Sequence, residues 1–139
     1  MKQRIIAGVL GMAVASLVLG RPVVQAHHAF AAEFDSRKPV VLKGTVSKVE
    51  WVNPHVWIHV DVKTADGKIE PWAIEAGTPN VLFRRGANKQ SLKAGTEVVV
   101  DGYRAKNGTK RANGREITLK DGSKLFLGSS GTGAPYEIK

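Results

Sequence analysis

The chain carries four histidines, His27, His28, His55 and His59, and no cysteine. A cut between Ala26 and His27 would leave His27 with a free α-amine beside its ring nitrogen, a chelate that needs no fold to form it. An amine of pKa about 8 and an imidazole of pKa about 6.5 both give up protons readily near neutral pH. Nitrogen donors bind Cu(II) most tightly among divalent first-row metals, so copper is the cofactor this arrangement suggests. His55 and His59 alternate onto one face of a strand but stand about 13 Å apart at the usual strand rise, too far to share one ion. His55 follows the Asn53-Pro54 break and is the expected third ligand beside His27 and His28. The plain reading of the same residues is a solvated N-terminus and two outward-facing polar positions.

The aromatic residues form a second set. Trp57 shares the outward face of the same strand with His55 and His59, whereas Trp51 and Trp72 are expected in the core. Arg104, Lys106, Lys110, Arg111 and Arg115 crowd one polar stretch further along. An exposed indole beside such a stretch can stack a sugar ring or clasp an anionic chain. Trp57, His59 and these five cations are therefore the expected ligand groove. As a plain alternative, the basic stretch is a solvated loop.

Both ideas depend on where the chain works. Met1 to Arg4 is a short basic start, and Ile5 to Leu19 is an uncharged, largely apolar run of 15 residues. That is shorter than the ~20 residues a membrane-spanning helix needs. Val24-Gln25-Ala26 then presents small or branched residues at the positions a signal peptidase reads. Basic start, short apolar core and small-residue exit are the secretory pattern. Residues 1–26 are thus expected to be a signal peptide, and the product to be periplasmic or secreted. Removing it changes the net charge from +9 to +6, with 18 basic residues against 12 acidic. Outside the cytoplasm such a balance favours an anionic ligand or an acidic protein over nucleic acid. Without cysteine, one domain at residues 27–127 must hold by burial alone.

The elements follow from periodicity. Val40 to Trp51 reads as a long first strand whose apolar parity flips near Ser47, the mark of a bulge or bend. Val56, Ile58, Val60 and Val62 alternate with polar residues as a second strand with one buried face. Asp66-Gly67 turns it into a third strand over Ile69 to Ala76. Thr78 as N-cap, Pro79 at the first helical position and Gly86 past the end define one short helix. Val98 to Arg104 is the fourth strand and Glu116 to Leu119 the fifth, with a short hairpin to Leu127. The polar residues before Glu116 read as a loop, residues 27–39 as an extended arm, and residues 128–139 as a Gly/Ser-rich flexible tail. This order predicts an all-β, five-stranded OB-fold-like barrel with one helix between strands three and four.

His27-His28-Ala29-Phe30 to Asp35, Leu42-Lys43-Gly44-Thr45-Val46, Trp51-Val52-Asn53-Pro54-His55 and Leu125-Phe126-Leu127-Gly128 resemble a family of exported bacterial proteins of unknown function. The resemblance covers essentially all of the chain after residue 26 and implies export and a small β domain. It assigns no role to any position. The sequence also lacks a cysteine nucleophile, Gly-x-Ser-x-Gly, a phosphate loop and His-Glu-x-x-His. The reading is therefore a non-enzymatic binding or accessory module.

Overall fold

The computed structural model describes residues 29–128 and 134–136. Eight elements follow one another: α1 (Ala29–Glu33), β1 (Phe34–Glu50), β2 (Trp57–Lys63), β3 (Ile69–Glu75), α2 (Pro79–Arg84), β4 (Glu97–Ala105), β5 (Arg111–Leu119) and β6 (Lys124–Phe126). The strands form one sheet in the order β3-β2-β1-β4-β5-β6. A further parallel pairing of β3 with β5 closes five of them into a ring.

The long β1 makes this closure workable. Its first part pairs with β4, from Phe34 to Thr45, and its second part pairs with β2, from Gly44 to Glu50. The two ladders overlap only at Gly44 and Thr45, where the strand passes from one neighbour to the other. A Cβ on Gly44 would stand 2.4 Å from the carbonyl oxygen of Asp61, so this crossing requires a residue without a side chain. Two residues on, the β1–β2 register shifts between Val46 and Lys48, the bulge expected from the parity flip.

Alternation then sets the core. Val56, Ile58 and Val60 are fully buried, and Val46, Ile74, Val100 and Ile117 meet them inside the ring. Val62, near the end of β2, is only partly buried. The turn at Asp66-Gly67 forms as expected, with Gly67 at φ +82°. Thr78 caps α2 by accepting a hydrogen bond from the backbone N–H of Val81, and α2 buries Leu82 in the same core.

Three expectations are corrected. Within the expected extended arm, Ala29–Glu33 is a helical turn, α1, and the extended residues from Phe34 on already belong to β1, Phe34 pairing with Ala105 of β4. Phe30 and Phe34 bury their rings in a second apolar cluster with Ala105, Ala134, Tyr103 and Tyr136. The polar run Asp35 to Lys38 hid this, because it spans a register break between Phe34 and Pro39. The fifth strand begins at Arg111, five residues before the expected start, because β3 supplies hydrogen-bonding partners for Arg111 to Asn113. Within the expected tail, Ala134 is buried and Tyr136 stacks on Tyr103 at 6.1 Å. The expected signal peptide, His27, His28, residues 129–133 and residues 137–139 lie outside the described residues.

Candidate functional site

Where β3 and β5 run parallel, their outward side chains meet those of β2. Glu75 lies opposite Trp57 on β2 and opposite Asn113 on β5, and Ala73 lies opposite Arg111. The Arg111 guanidinium sits 5.1 Å from the centroid of the half-buried Trp57 ring, a cation–π distance. Its Nη2 donates to Glu33 Oε2 at 3.3 Å and stands 3.9 Å from Glu75 Oε2. On the other side of the carboxyl, Glu75 Oε1 lies 3.9 Å from His55 Nδ1.

Glu75 is the chemically unusual group. Its side chain is 14% exposed, and burial raises its pKa above the usual glutamate range. His55 opposes that rise, nearby Glu33 adds to it, and Arg111 and the Asn113 amide hold it down. Asn113 is itself buried, and its Oδ1 accepts a short hydrogen bond from the Tyr136 hydroxyl. Tyr136, Asn113, Glu75 and His55 thus adjoin one another in series, the last pair 3.9 Å apart.

His55 lies before β2 rather than on it. Its Nδ1 is 3.0 Å from the Ala76 carbonyl oxygen, and a carbonyl only accepts, so Nδ1 carries the proton. Nε2 makes no hydrogen bond among the described residues. His59 belongs to a different group. Its Nε2 donates to Glu50 Oε2 at 2.8 Å, and Lys48 Nζ donates to the other oxygen at 2.6 Å. That double donation, Lys48 first, lowers the Glu50 pKa. The two histidines thus do not share a site.

The expected groove is divided in the same way. Arg104 and Lys110 lie 5.5 and 5.4 Å from the Trp72 ring centroid, not beside Trp57. Lys110 is paired with Glu70 at 2.9 Å. Lys106 holds α1: its backbone N–H donates to the Glu33 carbonyl at 2.9 Å and its Nζ to the Ala31 carbonyl. Arg115 faces Asp101 at 3.9 Å, beside Pro39, Val40 and Val41. Of the five expected cations, only Arg111 reaches Trp57. Trp72 is buried as expected, and Trp51 packs against the core while remaining partly exposed.

Glu33, Glu75 and Asn113 were missed from sequence. Glu75 carried a weak signal, since its parity on β3 sets it outward with Ala73. Asn113 carried none, because its partners come from β3 and from Tyr136. Clefts of about 600 and 410 Å³ lie elsewhere, along β1, β4 and the end of β5, and hold neither histidine nor tryptophan. Among the described residues, no three His, Cys, Asp or Glu side chains are grouped so as to hold a metal ion.

Residues 15–115 match a family of unknown function, DUF6152. The chain belongs to that family. The resemblance read from the sequence is thereby borne out at the family level. The DUF6152 match takes in Glu33, His55, Trp57, Glu75, Arg111 and Asn113, and leaves out Tyr136. No curated protein and no solved structure matches the chain.

Proposed function

We propose that this DUF6152 protein is an exported, non-catalytic binding module with an OB-fold barrel, and that it binds anionic polysaccharide at Trp57 and Arg111. Three observations support the barrel: the five-strand ring, its parallel β3–β5 closure, and α2 between β3 and β4. OB-folds bind ligands on the outer face of strands two and three, flanked by the loops before strand two and after strand four. In support of this reading, Trp57 opens β2 and Arg111 opens β5, at the end of the segment that follows β4.

The observation that carries the reading is the Arg111 guanidinium over a half-buried indole. The indole offers an apolar surface to a pyranose ring, and the guanidinium offers a planar donor fork to its carboxylate. Glu33 now occupies part of that fork, but its side chain is 54% exposed and the bridge is an exposed one. Such pairs contribute about 0–1 kcal/mol, so a ligand carboxylate can exchange with it.

The test is binding of the exported protein to polygalacturonate beside a neutral polysaccharide of similar length. Trp57→Ala is expected to weaken binding at every salt concentration. Arg111→Ala should weaken it chiefly at low salt, since charges near the surface are screened within about 8 Å at physiological ionic strength. Equal binding of both polymers, or unchanged binding by Trp57→Ala, would overturn the reading.

A further inference from the structure

We infer that Glu75 is a proton-operated control on the Trp57–Arg111 face: its carboxylate holds Arg111 and repels an anionic ligand, and its protonation removes both effects. For the identity of that ligand the inference rests on the polysaccharide reading. Arg111 Nη2 faces two carboxylates at once, Glu33 Oε2 at 3.3 Å and Glu75 Oε2 at 3.9 Å. With both ionised, two negative charges stand against one guanidinium, an arrangement that disfavours a ligand carboxylate. The two glutamates differ in how that charge can be removed. The Glu33 side chain is 54% exposed and can swing into solvent, since an exposed bridge holds it only weakly. The Glu75 side chain is largely buried between Arg111 and His55, and the Asn113 amide hydrogen-bonds to it. Its charge is therefore removed by a proton rather than by movement.

Several elements face this carboxyl. α1 brings Glu33, the segment before β2 brings His55, β5 brings Arg111 and Asn113, and Tyr136 reaches it through Asn113. Burial and Glu33 favour the neutral acid, whereas His55, Arg111 and Asn113 favour the carboxylate, and burial outweighs them. Glu75 can thus take its proton while an exposed sugar carboxylate is still ionised. Among the described residues none of these groups belongs to a set of three that could hold a metal ion, so the proton is the species in exchange. Arg111 carries the effect to the ligand face, because the same guanidinium that faces Glu75 lies 5.1 Å from the Trp57 ring centroid.

The test follows the Trp57 indole N–H resonance without ligand from about pH 7.5 to about pH 5, above the ordinary carboxylate range. Polygalacturonate binding is then measured over the same interval at low salt. In the parent the resonance should shift in one step, because the guanidinium beside the ring loses a charged partner. Affinity should rise about fivefold as pH falls, the equivalent of removing one unit charge at about 4 Å in water. Glu75→Gln keeps the shape and removes the charge. It should show no step and bind at neutral pH as tightly as the parent does in acid. Glu33→Gln should bind more tightly yet keep the step. Loss of the step in that variant would assign it to Glu33 and overturn the inference, so the test stands even if Glu75→Gln is unstable. Glu75→Gln leaves His55 in place, so an unchanged step there assigns the titration to the histidine and also overturns the inference. A flat resonance in the parent, or polymer binding that does not strengthen in acid, does the same. Absence of polymer binding at every pH, with the indole step intact, overturns the polysaccharide reading and leaves the control on Arg111 standing.

Discussion

Two corners of the ring are built from the same residue types and behave in opposite ways. At one, Trp57, Arg111 and Glu75 meet on the outward face; at the other, Trp72, Lys110, Arg104 and Glu70 meet with the indole turned into the core. Both glutamates are on β3, five residues apart. Lys110 at 2.9 Å holds the Glu70 pKa below the usual range, and Glu70 keeps water around it. Burial raises that of Glu75, whose nearest guanidinium, Arg111, stands at 3.9 Å. The comparison teaches that an ion pair in contact and in solvent stabilises the charged form. A carboxyl buried among more distant partners is left short of compensation. The first arrangement favours the ionised carboxylate in the folded chain, and the second disfavours it.

The largest test of this contrast is stability. Trp72→Ala should cost about 3–5 kcal/mol, the range for removing a buried indole, read from chemical denaturation midpoints. A cost below about 1 kcal/mol would mean that Trp72 is not part of the core and that the two corners are alike. Trp57→Ala should cost about 1 kcal/mol, the scale of a cation–π contact with partial burial. A loss comparable to that of Trp72→Ala would make Trp57 a core residue and remove it from the ligand face.

The smallest effect is the most specific. Folded Glu70 releases its proton at lower pH than the unfolded chain does. Its contribution is present above the unfolded pKa and is lost as pH falls through the folded one. Folded Glu75 keeps its proton to higher pH, so its contribution is lost as pH rises from the unfolded pKa through the folded one. Thermal midpoints of Glu70→Gln and Glu75→Gln, each compared with the parent across the carboxylate range, should diverge with opposite slopes. Slopes of the same sign would show that burial does not separate the two carboxyls.

The alternation of Val56, Ile58 and Val60, the Asp66-Gly67 turn and the Thr78-Pro79 helix start were legible in the sequence because each is written within a few residues. The bulge near Ser47 was legible for the same reason: a parity flip is local. Trp57 and Arg111 were both named from sequence, yet their contact was not, and Arg104 and Lys110 were assigned to the wrong indole. Alternation tells which face of a strand a side chain takes. It does not tell which strand lies next to it.

By itself, the sequence determined the succession of strands along the chain, the buried face of β2 and the position of α2, since 2.0- and 3.6-residue periodicities and cap residues act over one element. Only the tertiary structure decided that β5 begins at Arg111 and that Glu33, His55, Glu75, Arg111 and Asn113 come together. The parallel ladder joins Ala73 to Arg111 across a helix and a full strand, and its backbone hydrogen bonds stabilise polar residues that no local pattern marks as strand. Long-range pairing depends on which edges remain free once the nearer hairpins have formed, and that is a property of the closed ring rather than of any segment in it.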